Sequence, residues 1–182
     1  MPWEDTLLLY KIRVHKDKDA FGKVYDRYVA QVYRFVFFKL NNKEEAEDVV
    51  SEVFLKTWQY MTAQPIEVKS IQHLLYRIAR NQIVDVYRRR ARRPEDNLEA
   101  AAELASAENI EQALAERQTL ERTIQEIKKL KQEYQEVIFL RYVEELSIRE
   151  IAMILGKNGP SVRVLLHRAI KKLQSISGEP QN

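Results

Sequence analysis

Helical periodicity constrains the fold of this 182-residue chain more than any other feature of the sequence. Between residues 20 and 40, apolar side chains recur at spacings of three and four; they are Phe21, Val24, Tyr25, Tyr28, Val29, Val32, Tyr33 and Val36. The chain has only four glycines and five prolines, so long helices with few turns are expected. No segment of useful length alternates with a period of two. The pattern predicts an all-α fold.

The composition changes sharply after the first half of the chain. Before that change, three more helices are predicted, over residues 6–14, 43–61 and from 71 into an arginine-rich run. Residues 94–116 then hold seven acids and neither lysine nor arginine, a composition typical of a linker. Helical periodicity resumes from Leu120 to Leu173. We therefore predict two small helical domains joined by an acidic linker, with the divisions 1–93, 94–116 and 117–176 and a flexible tail over 177–182.

The chain lacks the residue groupings of several function classes. It has no cysteine, which excludes disulfides and thiolate metal sites and fits a reducing compartment. Its three histidines, His15, His73 and His167, are far apart and lack metal-ligand spacing. No glycine-rich phosphate loop, nucleophile motif, signal peptide or long apolar span is present. We therefore expect a soluble cytoplasmic protein that is not an enzyme and uses no metal, cofactor or small-molecule substrate.

The clearest local motif lies near the C-terminus, in the stretch "LSIREIAMILGKNGPSVRVLLHRAIKKL". Ser147 and Glu150 have the spacing of a capping box, which begins a helix. Gly156 suits the left-handed position that ends this helix, and Pro160 suits the first turn of the next one. The buried stripe of the first helix is predicted to be Ile148, Ile151, Ala152 and Leu155. Two short helices with a tight glycine-containing turn predict a helix-turn-helix.

The second helix of this motif has two distinct sides when it is projected at 100° per residue. The side predicted to pack inward holds Val162, Leu166, Ala169 and Leu173. The opposite side and its flank hold Ser161, Arg163, Val164, His167, Arg168 and Lys171. Basic and hydroxyl side chains suit phosphates and base edges, and Val164 suits a thymine methyl group. This surface favours DNA binding over the alternative, a structural helical hairpin with a solvated basic face.

The helix over residues 44–58 has an unusual outer side. Its predicted inner side holds Ala46, Val49, Val50, Val53 and Thr57. Its outer side holds Asp48, Ser51, Glu52 and Leu55, with Glu44 beside them and Trp58 at the edge. A leucine ringed by acids and bordered by a tryptophan indicates a surface that docks a basic protein. An exposed helix whose Leu55 is covered by a loop explains the pattern equally well.

The arginine run begins on the next helix, with seven arginines from Arg77 to Arg93. The outer side of this helix is predicted to carry His73, Arg77, Arg80, Asn81, Val84 and Arg88, opposite an inner side of Leu75, Ile78, Ala79 and Val86. Bidentate donors and an amide beside Tyr87 suit a nucleic acid. The preceding loop, with the aromatic residues Tyr60 and Tyr76 nearby, is predicted to accept an unstacked base. Residues 89–93 are interpreted as phosphate contacts or solvated charge.

The order of these segments resembles a bacterial RNA polymerase sigma factor of the extracytoplasmic-function type. The first helices are similar to the N-terminal helices of that family. Three further stretches resemble its core-binding helix, its −10 promoter helix and its −35 domain: "NKEEAEDVVSEVFLKTW", "SIQHLLYRIARNQIVDVYRRRARR" and "LKQEYQEVIFLRYVEELSIREIAMILGKNGPSVRVLLHRAIKKL". The sequence departs from the family pattern at Leu74, where tryptophan is frequent, at Ser51, where glutamine is frequent, and at Val164 and Leu165, whose positions are often polar.

The resemblance implies a role for each surface. Asp48, Ser51, Glu52 and Leu55 would bind the clamp of the largest subunit of core RNA polymerase, and the protein would also contact the flap. The loop from Thr62 to Ser70 would hold a flipped −10 base beside the outer side of the arginine helix. The helix from Pro160 to Gln174 would read the −35 element, and the linker would run towards the polymerase active site. An anti-sigma factor is an expected further partner.

Two alternatives remain at this stage. A stand-alone helix-turn-helix regulator would bind duplex DNA as a dimer without polymerase. A nucleic-acid enzyme of the recombinase type would need a nucleophile or a metal cluster, and the sequence shows neither.

Overall fold

All regular structure in the part of the chain that can be described is helical. The computed structural model describes residues 3–63, 68, 70–92 and 121–177, and its helices fall into two compact units. The all-α prediction is confirmed. The predicted linker over 94–116 lies outside the described residues. Of the predicted tail over 177–182, Ser177 is still helical, and residues 178–182 lie outside the described residues. None of the described helices is long and apolar enough to cross a membrane.

The N-terminal unit contains four helices. They are α1 (Trp3–His15), α2 (Lys18–Leu40), α3 (Lys43–Ala63) and α4 (Ile71–Arg92). Helices α2, α3 and α4 pack against one another, and α1 packs on α2 and α3. The centre of the unit is filled by fully buried apolar side chains: Val24, Val32, Phe35, Val36, Ala46, Val53, Leu75, Tyr76 and Ala79. Each helix therefore contributes one apolar stripe to a shared core.

Polar residues end and begin the helices where the sequence predicts. Asp17 caps the start of α2 by accepting a hydrogen bond from the backbone N–H of Ala20 at 2.9 Å. Asn41 ends α2 in the left-handed conformation at φ 54°. The side chain of Asn42 then accepts from the backbone N–H of Glu45 at 3.0 Å and begins α3. Asparagine tolerates both positions because its short amide bonds locally to the backbone.

A buried carboxylate ties α1 to α2. Asp5 is only 2% exposed and accepts hydrogen bonds from the Tyr28 hydroxyl and from Nη1 of Arg27, both at 2.6 Å. Nη2 of the same arginine donates to the exposed carboxylate of Glu4 at 2.6 Å. Burial and the bond to Asp5 raise the pKa of Tyr28, while the hydrogen bond to Glu4 raises the pKa of Arg27. A charge that is buried in this way is tolerated because it is paired and hydrogen-bonded.

The C-terminal unit is built on the helix-turn-helix. Residues 121–128 are helical (α5), α6 (Gln132–Ile138) continues into a π-helical turn (Phe139–Val143), and α7 (Ile148–Leu155) and α8 (Gly159–Ser177) follow. Helix α8 packs against α6 and α7.

The turn chemistry of the motif follows the sequence prediction. The backbone N–H of Ser147 donates to the Glu150 carboxylate at 2.8 Å, and the N–H of Glu150 donates back to the Ser147 hydroxyl at 3.3 Å. Gly156 ends α7 in the left-handed conformation at φ 63°, and Pro160 lies in the first turn of α8. The predicted capping box, glycine turn and helix start are all confirmed.

Candidate protein-docking and nucleic-acid surfaces

The outer side of α3 presents the predicted acidic surface, which we call the docking face: Asp48, Ser51, Glu52 and Leu55. Leu55 is 51% exposed, so within the described residues it is not covered by a loop. Asp48 and Ser51 are exposed and Glu52 is half-buried. The Ser51 hydroxyl donates to the backbone carbonyl of Glu47 at 3.0 Å, and Glu52 pairs with Lys56 at 3.1 Å. The face therefore combines an open apolar anchor with a charged rim, the anatomy of a protein-binding site.

An aromatic cluster supports the docking face from behind and extends it towards α2. Phe21 meets Trp58 edge-on with ring centroids 5.1 Å apart, and Tyr25 lies 4.8 Å from Phe54. Tyr25 is 44% exposed, which adds apolar surface that the sequence analysis did not assign to this site. Aromatic pairs of this geometry contribute about 0.5–1.5 kcal/mol beyond the area that they bury. The helical projection of α3 alone could not find Tyr25, because this residue comes from the neighbouring helix.

The outer side of α4 carries the predicted basic surface. Arg77, Asn81, Val84 and Arg88 are exposed, whereas Arg80 and His73 are half-buried. Arg88 lies 3.5 Å from Asp85 in an exposed pair, and its side chain remains 71% exposed. An exposed pair of this kind contributes little to stability, so Arg88 can exchange its partner for a phosphate.

The aromatic residues near the loop do not both behave as predicted. Tyr60 is half-buried, and the guanidinium of Arg77 lies 5.6 Å from its ring centre, within the range of a cation–π contact. Tyr76 is fully buried and packs edge-on against Phe35 at 5.2 Å. Tyr76 therefore cannot be one of the aromatic residues that the predicted base-accepting loop uses. Within the loop from Thr62 to Ser70, residues 64–67 and 69 lie outside the described residues.

The end of the arginine run also differs from its prediction. Arg90 is not solvated: it pairs with Glu45 on α3 and donates to the backbone carbonyl of Leu40 at 3.2 Å. Tyr87 donates its hydroxyl to the carbonyl of Lys39 at 2.6 Å, and its pKa is raised because burial disfavours the phenolate. Arg89 and Arg92 are exposed, as the prediction requires.

The inner side of α4 is broader than predicted. Leu75, Ala79 and Val86 are buried, but Ile78 is only half-buried. Leu74 and Ile83 are buried as well. These two positions were not assigned to the core because α4 packs on two helices at once, and this widens its apolar stripe.

Helix α8 presents its predicted basic surface to solvent. The six residues assigned to this surface are all exposed: Ser161, Arg163, Val164, His167, Arg168 and Lys171. Val164 is 50% exposed, which leaves its methyl groups open to an apolar partner. The backbone N–H of Ser161 donates to the side chain of Asn158 at 2.8 Å, and this bond orders the helix start.

The inner side of α8 includes one residue more than predicted. Val162 and Ala169 are buried, and Leu166 and Leu173 are half-buried. Leu165 is also buried at 9% exposure, so it belongs to the core rather than to a DNA-reading surface. Among the residues that the structure describes, no group of three metal-ligating side chains is found.

The family models match both units. The Sigma-70 region 2 model covers residues 24–93, and the Sigma-70 region 4 model covers residues 120–173. The first match includes α3 and α4, which carry the docking face and the first basic surface. The second includes the helix-turn-helix up to Leu173.

Curated relatives extend the similarity over most of the chain. SigW of Bacillus subtilis, an ECF RNA polymerase sigma factor, is 32% identical over 171 residues, which are 87% of this chain and 89% of SigW. YlaC, an RNA polymerase sigma factor of the same organism, is 30% identical over 91% of this chain and 98% of YlaC. The ECF sigma factor BldN of Streptomyces coelicolor is 29% identical over 88% of this chain, which spans 61% of BldN.

Solved structures agree with the fold. CnrH, in complex with the cytosolic domain of CnrY, aligns with a TM-score of 0.70 and 22% identity over 96% of this chain and 97% of CnrH. The sigma factor RpoE, in complex with the anti-sigma factor NepR from Bartonella quintana, aligns with a TM-score of 0.69 and 20% identity over 91% of this chain and 100% of RpoE. The match to SigW, together with the region 2 and region 4 matches, shows that the chain belongs to the ECF family of RNA polymerase sigma factors.

Proposed function

We propose that this protein binds core RNA polymerase and directs it to promoters that contain specific −10 and −35 elements. The observation that carries the proposal is the separation of charge within the N-terminal unit. Exposed Leu55 and its acidic rim lie on α3, while an exposed basic surface lies on α4. Separate helices of one compact unit therefore offer a surface for a protein partner and a surface for a nucleic acid.

The docking face is the proposed contact with the clamp of the largest polymerase subunit. Leu55 would be the buried anchor, and Asp48 and Glu52 would face basic side chains of the clamp. Acidic groups around an apolar centre attract a basic partner and disfavour other partners by repulsion. Ser51 donates its hydroxyl hydrogen within α3, so we assign it only an accepting role towards a basic partner.

The outer side of α4 is the proposed contact with the −10 element. Exposed Arg77, Arg88 and Asn81 offer charged and amide donors for phosphates and for the edges of unpaired bases. Arg80 and Val84 complete this surface. Tyr60, with the guanidinium of Arg77 beside its ring, supplies an aromatic face for stacking at the edge of the melted strand.

Helix α8 is the proposed reader of the −35 element in duplex form. Its exposed basic side chains, Arg163, His167, Arg168 and Lys171, suit backbone phosphates and guanine edges. Ser161 adds a hydroxyl at the start of the helix, and exposed Val164 suits a thymine methyl group. Contact with the polymerase flap is assigned to the same C-terminal unit.

The remaining assignments follow from the family. We propose domain limits of 1–93 and 117–176, with the acidic segment 94–116 as a linker that runs towards the polymerase active site. The protein acts in the cytoplasm and has no enzymatic activity of its own. A stand-alone regulator gains no support, because the match over residues 24–93 is to a sigma-factor region rather than to a dimerisation domain.

An anti-sigma factor is the proposed regulatory partner. The solved structure of RpoE contains the anti-sigma factor NepR, and that of CnrH contains the cytosolic domain of CnrY. Exposed apolar residues such as Leu55 would suit a partner that competes with polymerase. Affinity purification from cells that recovers polymerase and no other specific protein, under both growth and stress conditions, would contradict this assignment.

The docking assignment is tested by measuring the affinity of purified core polymerase for fluorescently labelled protein. The double variant Asp48→Ala, Leu55→Ala should weaken binding by at least about a hundredfold, as expected for the loss of a central anchor and a charge pair. Leu7→Ala is the control for the loss of an exposed leucine, because Leu7 is 47% exposed and lies on α1, so it is not one of the residues of the docking face. Equal affinities of the double variant and the wild type would refute the assignment.

A further inference from the structure

The C-terminal part of α4 is held at the junction between α2 and α3. The guanidinium of Arg90 donates from Nη2 to the backbone carbonyl of Leu40 at 3.2 Å. It also contacts both carboxylate oxygens of Glu45, with Nε 3.4 Å from Oε1 and Nη2 bonded to Oε2. One turn earlier, the Tyr87 hydroxyl donates to the carbonyl of Lys39 at 2.6 Å. Two side chains of α4 thus bind the last two carbonyls of α2.

These acceptors are suited to a cation. The last carbonyls of a helix have no partner within the helix and carry partial negative charge, so a guanidinium near them is stabilised. Glu45 adds a full negative charge from the first turn of α3. The planar guanidinium holds both carboxylate oxygens and a backbone carbonyl through a fixed fork of donors, a geometry that the compact ammonium of lysine does not reproduce. Arg90 therefore joins three helices at one point.

The direction of Arg90 separates it from the arginines on the outer side of α4. Two residues of helix correspond to a rotation of about 200°, so Arg88 and Arg90 point to nearly opposite sides. Their exposure agrees: the Arg88 side chain is 71% exposed and the Arg90 side chain 32%. Arg90 also follows buried Val86 by four residues, which places it above the inner stripe.

We infer that Arg90 is a positioning residue that fixes the direction of α4 on promoter DNA and makes no DNA contact itself. We call Arg90 and its neighbours Glu45 and Tyr87 the Arg90 bridge. Glu45 lies three residues before Asp48 on α3, so the Arg90 bridge connects the helix that is proposed to dock on polymerase with the helix that is proposed to face the −10 element. The inference rests on the proposed function, because it requires α3 to bind polymerase and α4 to bind DNA.

A positioning role of the Arg90 bridge and a simple charge effect predict opposite changes in DNA affinity for one substitution. Glu45→Gln removes a negative charge from the neighbourhood of α4, and electrostatics alone would therefore strengthen DNA binding. If Glu45 instead holds Arg90 in place, the same substitution releases the end of α4 and weakens DNA binding. Glu44→Gln is the matched control, since it removes the same charge from the residue next to Glu45, which is not part of the Arg90 bridge.

The experiment measures the affinity of assembled holoenzyme for a fluorescent promoter probe with an unpaired −10 segment, over a series of KCl concentrations. Glu45→Gln and Arg90→Gln should each weaken binding by about fivefold, the factor expected for a partly exposed ion pair. They should leave the slope of log affinity against log salt unchanged. Arg88→Gln, which removes a proposed phosphate contact, should reduce that slope by about 0.7 to 0.9.

A further variant distinguishes positioning from charge. Arg90→Lys keeps the charge but not the fork of donors, so it should remain weakened, whereas a residue that supplied only charge would be fully replaced by lysine. Tighter or unchanged binding by Glu45→Gln would overturn the inference, as would a reduced salt slope for Arg90→Gln. Wild-type holoenzyme that failed to bind the probe would overturn the proposed function itself, and the positioning role with it.

Discussion

The buried carboxylate of Asp5 should contribute more to stability than the exposed carboxylate of Glu4 beside it. Asp5 and Glu4 both accept from Arg27 at 2.6 Å, yet Asp5 is 2% exposed while the Glu4 side chain is 51% exposed. Asp5 also accepts from the Tyr28 hydroxyl. We compare Asp5→Asn with Glu4→Gln, since each substitution removes one charge with little change in size.

The expected magnitudes follow from burial. A hydrogen bond to a charged group contributes roughly 1.5–3 kcal/mol, against about 0.5–1.5 for a neutral pair. Asparagine has no charge and only one acceptor oxygen, so one of the two bonds loses its acceptor, and Asp5→Asn should cost about 2 kcal/mol. Arg27 keeps some contact with water, which argues for the lower part of that range. Glu4→Gln should cost less than about 0.5 kcal/mol, as for other exposed pairs.

Tryptophan fluorescence measures this effect in the full-length chain. Trp58 packs edge-on against Phe21 in the N-terminal unit, and the sequence of the C-terminal unit contains no tryptophan, so tryptophan emission reports the unfolding of the N-terminal unit alone. For a unit of this size, about 2 kcal/mol corresponds to a fall in Tm of roughly 8–16 °C. Equal shifts for Asp5→Asn and Glu4→Gln would refute the reasoning, because burial would then not determine the cost.

Three further predictions concern single residues. The pKa of Tyr28 is raised in the folded protein, so the unfolded chain releases the hydroxyl proton first, near the ordinary pKa of 10.0. The free energy of unfolding should therefore fall as the pH rises above about 10, by up to about 1.4 kcal/mol per pH unit. Denaturant titrations of Tyr28→Phe should show a smaller fall with pH. Ser147→Ala removes the capping box and should cost the C-terminal unit about 1 kcal/mol, measured by far-UV circular dichroism; an unchanged transition would contradict the role of the cap. Gly156→Ala places a Cβ on a residue at φ 63° and should cost about 1–2 kcal/mol by the same measurement. Open space surrounds the new methyl group, so the cost comes from the backbone conformation alone. An unchanged Tm would show that the backbone adapts.

The features that the sequence predicted well depend on residues close together in the chain. Asn41 and Asn42 mark the junction between α2 and α3, and Ser147, Glu150 and Gly156 mark the limits of α7. Each of these signals acts within a few residues, through a side chain that bonds to a nearby backbone group. Local chemistry therefore located the helix ends and the helix-turn-helix.

The features that the sequence predicted poorly depend on how the helices pack. Projection of one helix assigns a direction to each side chain but not the width of the buried stripe, and so it left Tyr76 and Leu165 outside the core. The Asp5–Tyr28 bond spans 23 residues, and its partners are defined only when α1 lies on α2. Arg90 did carry a usable signal, since it follows Val86 by four residues on the inner side of α4.

The proposed function requires this protein to bring core polymerase to promoters through one docking face and two basic surfaces. Run-off transcription with purified core polymerase on a pool of genomic promoters is the decisive experiment. We expect new start sites that appear only when the protein is added and that disappear with the Asp48→Ala, Leu55→Ala variant, while Leu7→Ala retains them. If no new transcripts appear and the protein alone binds duplex DNA tightly, the chain does not act as proposed.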